Sequence, residues 1–258
     1  MNRIALHQST VHPLDPLALV EVAQGARIDS IGLRVAAVDE VQQWWGKGIG
    51  SQMLHDLVPA LLSSRVTVLD VGRVVLGPEL HTVDSRHAYT RALELGTRLG
   101  AQFVTARAAA GSTEDQAELF GLLAALAAPY RLRPLITVVP GSPVDSIGRA
   151  LDVVAGTTGG VVLDVSPQRH TAADVDEAVV ELGDALGYIR VPARELEGRR
   201  APGLLATLPP QVAVAIGATA TGDPEPGAVV RDDHVARIST LRAAVDEMLR
   251  HPRAADAR

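Results

Sequence analysis

G-G-V-V-L-D-V-S-P-Q-R-H, Gly159 to His170, is an apolar run that ends in a lone carboxylate, Asp164, and then turns basic at Arg169 and His170. An unbroken apolar stretch of this length fits a strand buried on both faces, as in a parallel sheet, with the acid at its carboxyl end. In an α/β barrel the chemistry is done at that end.

Outward from this stretch, strand and helix signals alternate along the whole chain. Strands are predicted at Ile4 to Gln8, Ile28 to Val35, Val66 to Val75, Gln102 to Arg107, Arg133 to Val139, Val161 to Val165, Tyr188 to Val191 and Val212 to Ile216. Between them lie helix patterns. Asp15-Pro16 places an N-cap before Pro at the first helical position, and Ser112 with Asp115 and Thr171 open two more helices. Further helices are expected over 38–45, 53–62, 84–99, 144–155 (Asp145 in its first turn) and 234–249, with Gly100 as a C-cap. Eight strand–helix units in about 250 residues imply parallel strands with right-handed crossovers. The fold class is therefore α/β, a single (β/α)8 TIM barrel over residues 1–250 with a closed eight-stranded sheet, and 251–258 as a tail. The competing architecture is an open doubly wound sheet, against which no G-x-G-x-x-G turn follows the first strand.

Composition excludes several chemistries. The chain has no cysteine, so thiolate nucleophiles, disulfides and Cys-ligated zinc are ruled out. A net charge of −6 and 3% aromatic residues disfavour nucleic-acid binding. Lys47 is the sole lysine, so Schiff-base chemistry falls to that residue or to none. With no apolar run long enough for a signal peptide or a membrane span, a cytoplasmic protein is expected. Its partners are expected to be a small, anionic substrate and, as an open option, a second copy of itself.

The sequence resembles the xylose isomerase-like barrels of the sugar phosphate isomerase/epimerase superfamily. The resemblance covers the full length and is carried by I-G-L-R-V at Ile31 to Val35, V-T-V-L-D-V at Val66 to Val71 and A-L-E-L-G-T-R-L-G-A at Ala92 to Ala101. L-A-A-P-Y-R-L-R-P-L-I at Leu126 to Ile136 and G-V-V-L-D-V at Gly160 to Val165 complete it. It implies one divalent metal at the barrel mouth, held by Glu, Asp, His or Gln, and Glu on strands five to eight. Here those positions read Thr137, Asp164, Arg190 and Ala215. One hard oxygen ligand remains, beside a cation that repels a divalent ion. No metal and no other cofactor is therefore expected.

Strand ends supply the candidate site. Asp164, Arg190, His7 and His170 are the candidate catalytic residues; histidine titrates near neutrality, and Arg190 sits level with Asp164 on the next strand. Arg190 either merely neutralises a leftover acid or joins an anion pocket. Arg34, Asp70, Arg73, Arg107 and Thr137 are candidate substrate contacts, with Asp70 on the face shared by Val68 and Gly72 and Arg73 on the other. Trp44 and Trp45 form either an apolar wall of the site or a packing contact. Two readings of function stand: a metal-independent isomerase, epimerase or lyase working next to a carbonyl, and a non-catalytic barrel that binds a ligand or partner.

Overall fold

Eight strands, each parallel to the next, pair in chain order and close when the first meets the eighth. The computed structural model describes residues 3–11, 14–35, 45, 50–109, 111–197, 201–217 and 231–250. The strands are β1 Ile4–His7, β2 Ser30–Arg34, β3 Thr67–Leu76, β4 Phe103–Ala108, β5 Arg133–Thr137, β6 Gly160–Asp164, β7 Leu186–Pro192 and β8 Ala213–Gly217. Around them lie α1 Pro16–Gly25, α2 Gln52–Ser64, α3 Val83–Arg98, α4 Thr113–Ala127, α5 Ile147–Val154, α6 Ala172–Leu182, α7 Ala193–Leu196 and α8 Arg231–Leu249. This is the expected closed α/β barrel, and the open sheet is excluded. The helix expected over 38–45 lies, Trp45 aside, outside the described residues, as does the tail 251–258. Among the described residues no helix is long and apolar enough to cross a membrane.

The helix starts follow their caps. Asp15 accepts from the backbone N–H of Ala18 at 2.8 Å, and Pro16 takes the first helical position. Ser112 and Asp115 form a reciprocal capping box, and so do Thr171 and Asp174. Two helices are shorter than their sequence patterns. Ser146 caps α5, so Asp145 stands outside it and pairs with Arg149 at 3.0 Å. Helix α6, expected from its Thr171 cap to about Leu186, stops at Leu182, where Gly183 takes φ +49°.

β6 shows how the strands divide their side chains. Val161 and Leu163 pack outward against the helices, while Val162 faces the barrel axis. The barrel is filled by Ala5, Leu69, Leu135, Val162, Tyr188, Ala213 and Ala215, with Phe103 against them. Small residues on β1 and β8 leave room for the Tyr188 ring.

Register shifts break strict alternation between β2 and β3, β3 and β4, and β6 and β7, and the first and last of these shape the site. Ile31 pairs with Val68 but Gly32 pairs with Asp70, so Leu69 is one residue too many. Leu69 and Asp70 both turn inward while Val68 packs outward, which corrects the expectation that Val68 and Asp70 share a face. On β7, Val161 pairs with Leu186 and Val162 with Tyr188, leaving Gly187 as the extra residue. A Cβ there would lie 2.4 Å from Leu135 Cδ1, so a larger residue would displace that buried side chain, and Tyr188 enters the barrel.

Candidate functional site

Inward-facing residues change from apolar to polar toward the carboxyl ends of the strands. There His7 Nε2 lies 3.0 Å from Asp70 Oδ1 and 3.3 Å from the Tyr188 hydroxyl. Asp70 is nearly inaccessible, with 3% of its side chain exposed against 12% for His7. Thr105 donates to Asp70 Oδ2 at 3.1 Å. Oδ1 accepts no hydrogen bond among the described residues, so the histidine contact is close in distance and off line in direction.

A carboxylate this near Nε2 favours the imidazole tautomer protonated at that nitrogen. The lone pair then resides on Nδ1, which has no hydrogen-bond partner among the described residues. Tyr188 is wholly buried; burial and then the Asp70 charge push its hydroxyl well above the usual phenol range.

Glycines make the meeting possible. A Cβ on Gly32 would lie 2.3 Å from His7 Cδ2 and 2.4 Å from Asp70 Oδ1. One on Gly72 would lie 2.1 Å from Thr105 Oγ1. At Gly217 the missing Cβ leaves space 3.0 Å from Arg190 Cδ and 3.3 Å from His7 Nδ1.

Asp164 and Arg190 stand in register on β6 and β7. Arg190 donates from Nε to Oδ1 at 2.6 Å and from Nη2 to Oδ2 at 2.8 Å, a bidentate pair. Burial alone would lower the arginine's pKa; the Asp164 charge and its hydrogen bonds more than offset this and raise it.

A cavity of about 30 Å³ opens between these groups. Its walls include His7, Gly32, Arg34, Asp70, Thr105 and Arg190. Arg34 is fixed through its backbone: its N–H donates to Gln8 Oε1 at 3.0 Å and its carbonyl accepts from Trp45 Nε1 at 2.9 Å.

The structure thus brings His7, Arg34, Asp70 and Arg190 to one pocket, with Asp164 behind Arg190. The other predicted residues stand elsewhere. Arg107 is exposed at the end of β4, and Thr137 is buried beside it in register; neither lines the cavity. His170 Nδ1 accepts from the backbone N–H of Ser166 at 3.0 Å and holds a turn after β6. Trp45 is buried in the core between strands and helices, so it packs rather than walls the pocket. Trp44 and the side chain of Arg73 lie outside the described residues.

Thr105, Tyr188 and the glycines at 32, 72 and 217 are site components that the sequence reading passes over. Thr105 and Tyr188 each stand two residues before an arginine on a strand, the spacing that puts both on one face, and this is the signal that could have found them. Glu195 is also new: it is buried on α7 and accepts from Ser166 Oγ, in a cluster separate from the cavity.

At the four positions where the resemblance implies metal ligands, the residues present do not fit a metal. Both oxygens of Asp164 are engaged by Arg190, Ala215 offers no donor, and Thr137 offers a hydroxyl alone. No group of three His, Asp or Glu side chains among the described residues is placed to hold an ion.

No protein-family model and no curated protein matches this sequence. Solved structures do match over nearly the whole chain. A xylose isomerase domain containing protein from Salmonella typhimurium superposes with a TM-score of 0.66 at 14% identity, covering 96% of this chain and 98% of that one. D-allulose 3-epimerase from Methylomonas sp. gives 0.68 at 14% identity over the same shares. The IOLI protein, whose structure has a binding zinc atom, also gives 0.68 at 14% identity over 96% and 98%. In fold, the chain is a xylose isomerase-like TIM barrel.

Proposed function

We propose that the chain is an enzyme that moves a proton on the carbon next to a carbonyl in a small anionic metabolite, as an isomerase, epimerase or lyase, with no bound metal. The observation that carries this reading is the His7–Asp70 contact at 3.0 Å in a pocket that also holds Arg34. His7 Nδ1 is the acid/base and Asp70 the group that fixes its tautomer and stabilises the imidazolium. The C–H bond breaks, its proton passes to Nδ1, and its electron pair flows into an enolate. Arg34 and the free Nη1 of Arg190 neutralise the developing oxyanion. Protonation of the same carbon by a water on the opposite face, with the His7 proton released to solvent, gives the epimer; where that carbon bears a hydroxyl, passage of the hydroxyl proton to the oxyanion and of the His7 proton to the former carbonyl carbon gives the isomer; expulsion of a leaving group from the carbon on the other side, protonated by His7 as it departs, gives the lyase outcome. Asp164, with both oxygens on Arg190, holds that guanidinium in place and is not the base.

The test is proton exchange. Purified protein is incubated in D2O containing EDTA with a panel of small 2-hydroxy and 2-oxo acids, and loss of the proton next to the carbonyl is followed by NMR. Exchange is expected with EDTA present and is expected to fall at least about 100-fold in His7→Gln. Exchange that vanishes with EDTA and returns with Mn²⁺ overturns metal independence. The small size of the cavity favours one rival, a binding protein without turnover; ligand binding with no exchange across the panel decides for it.

A further inference from the structure

We infer that the substrate carries a second anionic group, seated at the rim of the barrel by Arg107 and Thr137. This rests on the proton-transfer reading of the site and adds the substrate class, a small metabolite with two anionic ends. The two residues share the inner face of the barrel. On β4, Phe103 packs against the barrel filling and Thr105 reaches Asp70, so Arg107, two residues further on, points the same way. On β5, Leu135 fills the barrel and Thr137 follows it by two. Val104, Ala106 and Ile136 pack outward, as that alternation requires. The register between these strands is unbroken, and Arg107 and Thr137 are partners in it. They stand one inward layer, about 6.6 Å, above Thr105 and Leu135. Thr105 belongs to the cavity wall, so the rim position continues the cavity upward.

Both residues have an unmet need, and one group meets both. Thr137 is 5% exposed, and its hydroxyl makes no hydrogen bond among the described residues. It is not closed off as Asp70 Oδ1 is, so a ligand atom can reach it. A hydroxyl in that state calls for an acceptor. Arg107 is exposed, and its guanidinium has no hydrogen-bond or ion-pair partner among the described residues. Its fork calls for a carboxylate or a phosphate. A cation is repelled there, and a neutral hydroxyl leaves the guanidinium as it stands in water. The neighbouring acids do not compete: both Asp164 oxygens are held by Arg190, and Asp70 lies against His7 and Thr105. The cavity below, at about 30 Å³, has room for little more than the reacting carbonyl and the group bonded to it, so the rest of the ligand extends to the rim. Arg34 lines that cavity from β2 and takes the anionic end beside the carbonyl. Strands two apart in a sheet lie about 10 Å from each other, a gap that two arginine side chains and a chain of four or five carbons close.

Isothermal titration of the whole protein with diacids and with monoacids of equal carbon number tests the assignment: succinate against butyrate, glutarate against valerate. The better diacid is expected to bind at least about tenfold more tightly than its monoacid. Arg107→Met is expected to weaken that diacid to the level of its monoacid, and the shape-matched Thr137→Val to weaken it about threefold. Titration of 3-phosphonopropionate against succinate tells a phosphate end from a carboxylate end, and tighter binding of either supports the second anionic end and names its group. Equal affinity for diacid and monoacid, a diacid preference that survives in Arg107→Met, or no diacid binding at tens of millimolar overturns the assignment. An Arg107-dependent diacid preference without proton exchange in any 2-oxo acid removes catalysis and keeps the ligand class. Exchange as fast in monoanionic 2-oxo acids as in 2-oxoglutarate keeps catalysis and removes the second end.

Discussion

Tyr188 and Asp70 converge on one nitrogen of His7, and each reaches it because its strand carries an extra residue. Leu69 is the spare residue on β3 and Gly187 on β7. A bulge re-aims the side chain that follows it, so two neutral-looking insertions build the centre of the pocket.

That burial has a pH signature. The Tyr188 hydroxyl is pushed well above the ordinary phenol range, first by burial and then by the Asp70 charge. A raised folded pKa means full stabilisation below the unfolded value, near pH 10, lost as pH rises from there toward the folded value. Tyr188→Phe is expected to cost about 1 kcal/mol at neutral pH and to show a shallower fall in Tm above pH 10 than the wild type. Thermal melts across that range check it; parallel curves for the two proteins would show that the phenol titrates freely.

Gly32 is the floor on which His7 and Asp70 meet. With a methyl group placed 2.3 Å from His7 Cδ2 and 2.4 Å from Asp70 Oδ1, one of them must move. Gly32→Ala is expected to destabilise by about 1–3 kcal/mol and to shift the His7 ring resonances. An unchanged Tm with unchanged imidazole signals contradicts the close packing.

Asp164 and Arg190 form a pair whose loss is asymmetric. The side chains are 25% and 10% exposed, so an abandoned Asp164 keeps partial contact with water. Arg190→Met is expected to cost about 3 kcal/mol, at the low end for a buried pair, and Arg190→Met with Asp164→Leu to recover most of that. Urea unfolding of both single variants and the double variant gives the coupling. A coupling near zero would mean that the two groups are independently solvated.

The second buried polar cluster ties the β6 and β7 ends together. Ser166 Oγ donates to the buried Glu195 and accepts from Arg169 Nε at 3.3 Å, while its N–H donates to His170. Ser166→Ala is expected to cost about 2 kcal/mol, the loss of a bond to a charged group, and to leave the His7 resonances where they are. Movement of those resonances would join the cluster to the pocket.

The barrel was legible because its signals are local. Buried parallel strands show as apolar runs, caps at Asp15, Ser112 and Thr171 mark helix starts, and eight repetitions of one unit leave few topologies. The Asp164–Arg190 pair was legible too, since both residues end neighbouring strands. His7 was legible as a candidate, but its partners were not. Alternation put Asp70 on one face with Val68, and the bulge at Leu69 sends the two to opposite faces. Tyr188 passes for a core residue, and His170, five positions past the predicted strand, spends its ring nitrogen on a turn.

From sequence alone come the closed sheet and the order of its elements, because strand and helix signals depend on residue type along each local stretch. Which histidine faces the pocket, which acid stands beside it and how small the opening is were decided only in three dimensions. Bulges and the Cβ-free walls at Gly32, Gly72 and Gly217 act between strands far apart in the chain, and no period along one strand records what its neighbour permits.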